Sequence, residues 1–414
     1  MEKETIFNNT FGLGNGRFDW LNACVGTNGF PDSLTYAEGY LRTPEILTDY
    51  IYKNNKRGEV DLLVYPIAYS ARHGIELSLK TILIDMADLR GLAISVPDVT
   101  KIHSIKKLWD ATIDVAERTD IRLFHITKKI EPYILDFVAI DDTAQTFRYP
   151  ESNVGATHLE KTPIINLVRF VVYFKKLTEG LREIIKLTLN LKDEYKTGTY
   201  TDKFSRRDLI KLSKALGNKN EWVTTLTVKK KEFIKKKFNL NSNKQLIKAI
   251  DKIVVNRYLS SLIGVEFPLK HSGKNTLLRF KKAWYALHIK DVMKKNNVFL
   301  DPLQDSGISL SDIRAEDFLD YLRLKMRITT TYLPLFSEEE LADLTTLIIM
   351  DRQSNQYYAE DYEREFERNL RDAQQDKNEA FRYIIDNTAA LYYIRKALKL
   401  LGCKQLSVES HFNY

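Results

Sequence analysis

Residues 65–86, YPIAYSARHGIELSLKTILIDM, constrain the fold more than any other stretch of the chain. Ala68, Ala71, Ile75, Leu79, Ile82 and Met86 recur at spacings of three and four, which at about 100° per residue sets them on one narrow helical face. That face is apolar throughout, so other helices must cover it. His73, Glu76 and Lys80 fall together on the other side, flanked by Tyr69, Leu77 and Ile84. Polar groups in such surroundings need hydrogen-bond partners, because burying them bare is costly.

The rest of the chain reads the same way. Glycine (17) and proline (10) are scarce among 414 residues, and most prolines fall between helical patterns, which predicts long helices with few tight turns. The length suffices for two or three domains. Cys24 and Cys403 are the only cysteines and fit neither a disulfide framework nor a zinc cluster, which points to a reducing compartment. The opening MEKETIFNNTFGLGNG has no apolar signal core, and the most hydrophobic helical stretch, 164–191, is interrupted by Arg169, Lys175, Lys176 and Arg182. A soluble cytoplasmic protein with no membrane partner is the expectation.

Four regions follow along the chain: an irregular arm at 1–31, a five-helix bundle at 32–196, a basic helical region at 197–300 and a C-terminal helical domain at 301–414. The expected class is all-α. In the first bundle, Asp32 or Ser33 caps a helix running to Lys53, His103 and Ser104 open a third helix, and the longest helix covers 162–194. In the basic region, Ser205 and Asp208 predict a capping box and Gly217 a stop, NKNEWVTTLTV is irregular or briefly extended, and one helix runs from Asn241 or Ser242 to Gly264. In the C-terminal region, helices are expected at about 313–328, after a Ser337 cap, as a charged surface helix at 360–375, and from 378 to Gly402.

Charge is unevenly spread. From Lys196 to Leu300 there are 25 Lys/Arg against 7 Asp/Glu, an excess of +18, whereas the whole chain carries only +8. Arg206, Arg207, Lys229, Lys230, Lys231, Lys235, Lys236 and Lys237 are the candidate nucleic-acid contacts in that stretch; the alternative is a solvated face whose lysine stems cover apolar surface.

Three sequence patterns, R-H-x-x-E-L-x-L-K at Arg72 to Lys80, H-x-x-K-x-L-W at His103 to Trp109 and D-…-F-R-Y-P at Asp142 to Pro150, together with the order of long helices, resemble the HEPN-like superfamily over roughly 32–196. The resemblance implies a helical, often dimeric domain of bacterial toxin, antiphage or RNA-processing systems. It also implies metal-independent ribonuclease chemistry at an R-x4-6-H motif near the last long helix. That motif is missing from its usual place: nine residues separate Arg148 from His158. Arg118 and His125 have the right separation, with six residues between, across the junction of the third and fourth helices. His125 would move a proton at a ribose hydroxyl while Arg118 holds the phosphate. The C-terminal helices resemble a small uncharacterised bacterial helical domain, which implies no activity.

His73 and Glu76 could serve a metal only if a second helix supplied further ligands. The favoured reading is a structural cluster of His73, Glu76 and Lys80 in which Arg148 of the connector pairs with Glu76. No metal and no cofactor are expected, and Walker A, Rossmann, H-E-x-x-H, G-x-S-x-G and CxxC signatures are absent. The expected function is a nucleic-acid-associated protein of a bacterial defence or toxin-type system that contacts RNA or DNA through its basic region. The alternative is a non-catalytic helical adaptor that pairs with itself or with a protein partner.

Overall fold

The apolar face of residues 65–86 is buried as its spacing predicts: Ala68, Ala71, Ile75, Leu79, Ile82 and Met86 are all covered. The computed structural model describes residues 10–12, 14, 16–92, 98–151, 158–295, 315–352 and 357–409. Among these residues the fold is helical, with no β-strand. The chain divides into two compact units, Met1–Lys192 and Asp193–Tyr414. No described helix is long and apolar enough to cross a membrane.

In the first unit, α1 (Ser33–Lys53) starts where the Asp32 carboxylate accepts from the Thr35 amide at 2.7 Å. The central helix α2 (Val60–Asp88) extends past both ends of the apolar stretch that announces it. Ser104 caps α3 (Ile105–Thr119), and Asp120 caps α4 (Ile121–Asp141). The longest helix, α5 (Leu167–Lys196), begins a turn later than expected and continues into the second unit. Helix α2 packs against α1 and α3, and α3 against α4. Close approach is built on small residues: a Cβ on Gly74 would sit 2.9 Å from Leu41 of α1, and one on Gly180 only 2.1 Å from Ile130 of α4. Trp109 is fully buried in this core. The loop residue Pro97 lies outside the described residues.

The second unit has two hydrophobic cores. The first gathers Leu209, Leu212 and Leu216 of α6 (Arg206–Leu216), together with Ile234, Leu246, Ala249 and Ile253 from the helices that follow. The capping box of Ser205 and Asp208 forms, and Gly217 ends α6 with φ +75°. The following residues fold as the short α7 (Trp222–Thr225), where an irregular or extended segment is expected, and the Trp222 indole donates back to the Gly217 carbonyl at 3.1 Å. Then come α8 (Val228–Lys237), α9 (Asn243–Val255) and α10 (Arg257–Ser261). A single helix is expected over the last two. It breaks at Asn256, whose side chain accepts from the Leu259 amide at 2.9 Å and donates to Glu360 at 2.7 Å.

The second core includes Leu277, Phe280 and Trp284 of α11 (Lys274–Lys295), so this cationic helix packs among C-terminal helices. Helix α12 (Ala315–Tyr332) runs through the threonine run expected to follow it, with the Thr330 and Thr331 hydroxyls donating to carbonyls one turn back. Residues 301–314, including Ile313, lie outside the described residues. Ser337 and Glu340 cap α13 (Glu338–Arg352) reciprocally at 3.2 Å. Helix α14 (Tyr362–Gln375), expected as a surface helix, buries Tyr362, Phe366, Asn369 and Ala373 along one face. The final stretch divides into α15 (Lys377–Ile385), α16 (Ala390–Leu400) and α17 (Lys404–Glu409). The first break follows from Asn387, whose side chain takes the Ala389 amide while its carbonyl accepts the Trp284 indole.

Candidate functional site

Arg72 organises a polar cluster at the meeting of α2, α3 and α4. Its side chain is fully buried and ion-paired to Glu76 one turn along α2. Its remaining donors go to three backbone carbonyls: Asp141 at 3.2 Å, Asp142 at 2.7 Å, and His103. Asp142 in turn accepts from the Ser104 hydroxyl and the Lys106 amide, each at 2.8 Å, at the start of α3. Lys80 donates to Glu76 and to the Thr100 carbonyl, both at 2.8 Å. His103 Nδ1 lies 3.0 Å from Glu76 Oε1.

Burial opposes ionisation of Glu76, but the hydrogen bonds from Lys80 and Arg72 outweigh it and hold the carboxyl below its ordinary range. The result is a buried anion with three cationic or proton-bearing neighbours. A proton on His103 Nδ1 is the tautomer that suits the carboxylate, and it leaves Nε2 as an acceptor on a side chain that is 67% exposed.

The pairing of Glu76 with Arg148 expected from the sequence does not form. Arg72 and Lys80, at i−4 and i+4 on the same helix, already occupy the carboxylate. Arg148 instead stacks over Tyr69 at 5.9 Å and Tyr149 at 5.2 Å. His73 packs edge-on to Tyr40 at 4.4 Å and parallel to Tyr69 at 5.8 Å, and burial pushes its imidazole pKa down. Among the described residues, no group of three or more His, Cys, Asp or Glu side chains is arranged to hold a metal.

Arg118 and His125 sit on either side of the α3–α4 junction, as their positions in the sequence imply. Arg118 is ion-paired with Asp114 at 2.6 Å, and His125 is an exposed residue beside Phe124.

The basic candidates divide into two groups. Arg206 is not available to a ligand: it is buried, bonded to Glu360 at 3.1 Å and held between Tyr258 and Tyr358. Its charge is used inside the unit because Glu360 is itself largely covered, and Thr199 and Asn256 donate to the same carboxylate. Burial disfavours the Glu360 anion, yet Arg206 and these hydrogen bonds keep its pKa below the ordinary value. Lys230 bends back to cap the Leu216 carbonyl at the end of α6 at 3.0 Å. Lys235 is half-buried, and Arg207, Lys229, Lys231, Lys236 and Lys237 are exposed, with no ion pair to any described carboxylate.

Arg72 and His103, the principal partners of Glu76, both stand in the sequence patterns at Arg72 to Lys80 and His103 to Trp109. The R-x-x-x-E-x-x-x-K spacing of Arg72, Glu76 and Lys80 was the available signal, since i,i+4 partners share a helix face. No protein-family model, curated protein or solved structure matches the chain.

Proposed function

We propose that the chain is a HEPN-like, nucleic-acid-associated protein, which contacts RNA or DNA through Arg207, Lys229, Lys231, Lys236 and Lys237. The observation that carries this reading is the exposure of these five cations, without partners among the described carboxylates, inside a stretch with an excess of +18 charges. Phosphodiester backbones are attracted to such a surface without regard to sequence, and each phosphate neutralised on a duplex steepens the salt dependence by about 0.9 in log–log slope. A role in a bacterial defence or toxin-type system comes with the resemblance and stands as part of the proposal.

The test is a binding titration with labelled single-stranded RNA and duplex DNA at two salt concentrations. Reversing Lys231, Lys236 and Lys237 to Glu lowers affinity and flattens the salt slope. Equal affinity and slope in the variant refute the assignment.

A second reading is favoured by the Glu76–His103 pair. A buried carboxylate at Nδ1 orients the ring so that the exposed Nε2 can accept a proton, which suits metal-independent attack of a ribose hydroxyl on its phosphate. Arg118 is paired with the exposed Asp114, and His125 has no carboxylate at its ring nitrogens among the described residues. With RNA and no added metal, loss of cleavage in His103→Ala and retention in His125→Ala assign the chemistry to His103; the opposite pattern assigns it to the Arg118/His125 pair.

A further inference from the structure

Helix α8 turns an aromatic ring outward in the middle of its lysines. Phe233 is 63% exposed, whereas the next residue, Ile234, is buried in the first core of the second unit. Ile234 and Phe238 mark the side of α8 that faces this core. Phe238 caps the helix and packs edge-on to Phe204 at 5.9 Å. With both anchors seated, the register of the helix holds Phe233 in solvent.

Lys229 precedes the ring by four residues, and Lys236 and Lys237 follow it by three and four. These spacings place all three on the helix face that carries Phe233, and all three are exposed. Glu232, the one acid of α8, lies about 100° round the helix from Phe233. The exposed face is thus a single aromatic ring with cations before and after it along the helix.

An exposed phenyl ring adds nothing to phosphate binding, which is a matter of charge. What it offers is a flat apolar face on which an unpaired base can stack. In a duplex the base faces are covered by their neighbours and out of its reach. We propose, resting on the reading of this surface as a nucleic-acid contact, that its ligand is single-stranded, with an unpaired base stacked on Phe233 and the flanking phosphates held by Lys229, Lys236 and Lys237. An anionic membrane would also attract the lysines. An interfacial helix, however, lays a continuous apolar face into the bilayer, and the apolar side of α8 is committed to the core.

The test titrates the full chain with labelled single-stranded oligo(U), single-stranded oligo(dT), a duplex of equal length, and an abasic strand of equal length that keeps the phosphates without the bases. Phe233→Ala lowers affinity for the base-bearing single strands by about 5- to 100-fold, the range that stacking of one base spans. It leaves the duplex, the abasic strand and the circular-dichroism melt unchanged, and Phe233→Trp restores tight binding. The salt slope stays that of wild type, because the cations that release counterions are intact. Loss on both oligo(U) and oligo(dT) supports recognition of the base whatever the sugar; loss on one alone supports the proposal and names the sugar. If Phe233→Ala matches wild type on every strand while reversal of Lys231, Lys236 and Lys237 to Glu weakens binding, the stacking proposal falls and the basic surface stands. If wild type binds none of these strands at low salt, both fall. If wild type holds the abasic strand as tightly as oligo(dT) and binds phosphatidylserine vesicles through Phe233, a membrane surface replaces the single strand.

Discussion

Replacing Glu76 by alanine strips the buried Arg72 guanidinium of its counter-charge. Removing one partner of a buried ion pair costs about 3–5 kcal/mol, because the other charge is left in a medium that cannot solvate it. Arg72 keeps its bonds to the carbonyls of Asp141, Asp142 and His103, which spread part of that charge, so Glu76→Ala belongs near the lower end, at about 3 kcal/mol. Arg72→Ala is the larger loss. It frees three carbonyls through which Arg72 ties the start of α3 to the end of α4 and opens a cavity in the core, for about 4–5 kcal/mol. Each residue touches the other, so the double substitution falls short of the sum by about 1–3 kcal/mol.

Because the chain has two units, a single melting temperature mixes two transitions. Hydrogen exchange read peptide by peptide separates them. At 1.4 kcal/mol per tenfold, the loss of about 3 kcal/mol accelerates exchange of α2 amides by roughly 100-fold or more, while α13 and α16 are unchanged. Acceleration of α2 by less than about fivefold in Glu76→Ala, or strict additivity in the double variant, refutes the picture of Arg72 and Glu76 as a mutually dependent pair.

The same carboxylate sets a pH dependence. The folded Glu76 has a pKa below its ordinary 4.5, so its contribution is complete above that value and is lost as pH falls through the folded pKa. The stability difference between wild type and Glu76→Gln in urea therefore narrows as pH drops below 4.5; a constant difference contradicts the sign. Asp343 works in the opposite sense. Burial raises its pKa despite hydrogen bonds from Tyr362 and the His271 and Ser272 amides, so its ionisation lowers stability as pH rises, and Asp343→Asn flattens that limb. Arg206→Ala destabilises the second unit by about 3 kcal/mol, as the loss of a buried partner of Glu360 requires, whereas Lys236→Ala stays within about 0.5 kcal/mol; urea titration read by exchange in α6 and α9 distinguishes the two. Gly180→Ala drives a methyl group against Ile130 and costs about 1–3 kcal/mol, less in an Ile130→Ala background, as a double-mutant cycle read by hydrogen exchange in α4 and α5 reveals.

Local information in the sequence determined the all-α class, the apolar face of α2, the capping box at Ser205 and the stop at Gly217, and it narrowed the first cap to Asp32 or Ser33 and the start of α3 to His103–Ser104. Each depends on neighbours within a few residues, where spacing and side-chain type decide the energetics. Tertiary structure alone decided where polar side chains found their partners. Glu76 had suitable cations at several sequence distances, and only packing of α3 against α2 and of α4 against α3 brought His103 to it, and the carbonyls of Asp141 and Asp142 to Arg72, while sending Arg148 to Tyr69. Arg206 and Lys236 look alike in a basic run; Glu360, more than 150 residues away, buries the first and leaves the second in solvent. Asn256 breaks a helix that its own periodicity would continue, because its amide also serves Glu360. Partner choice is a long-range contest among many similar donors and acceptors, and it is settled only when the backbone has brought some of them within bonding distance.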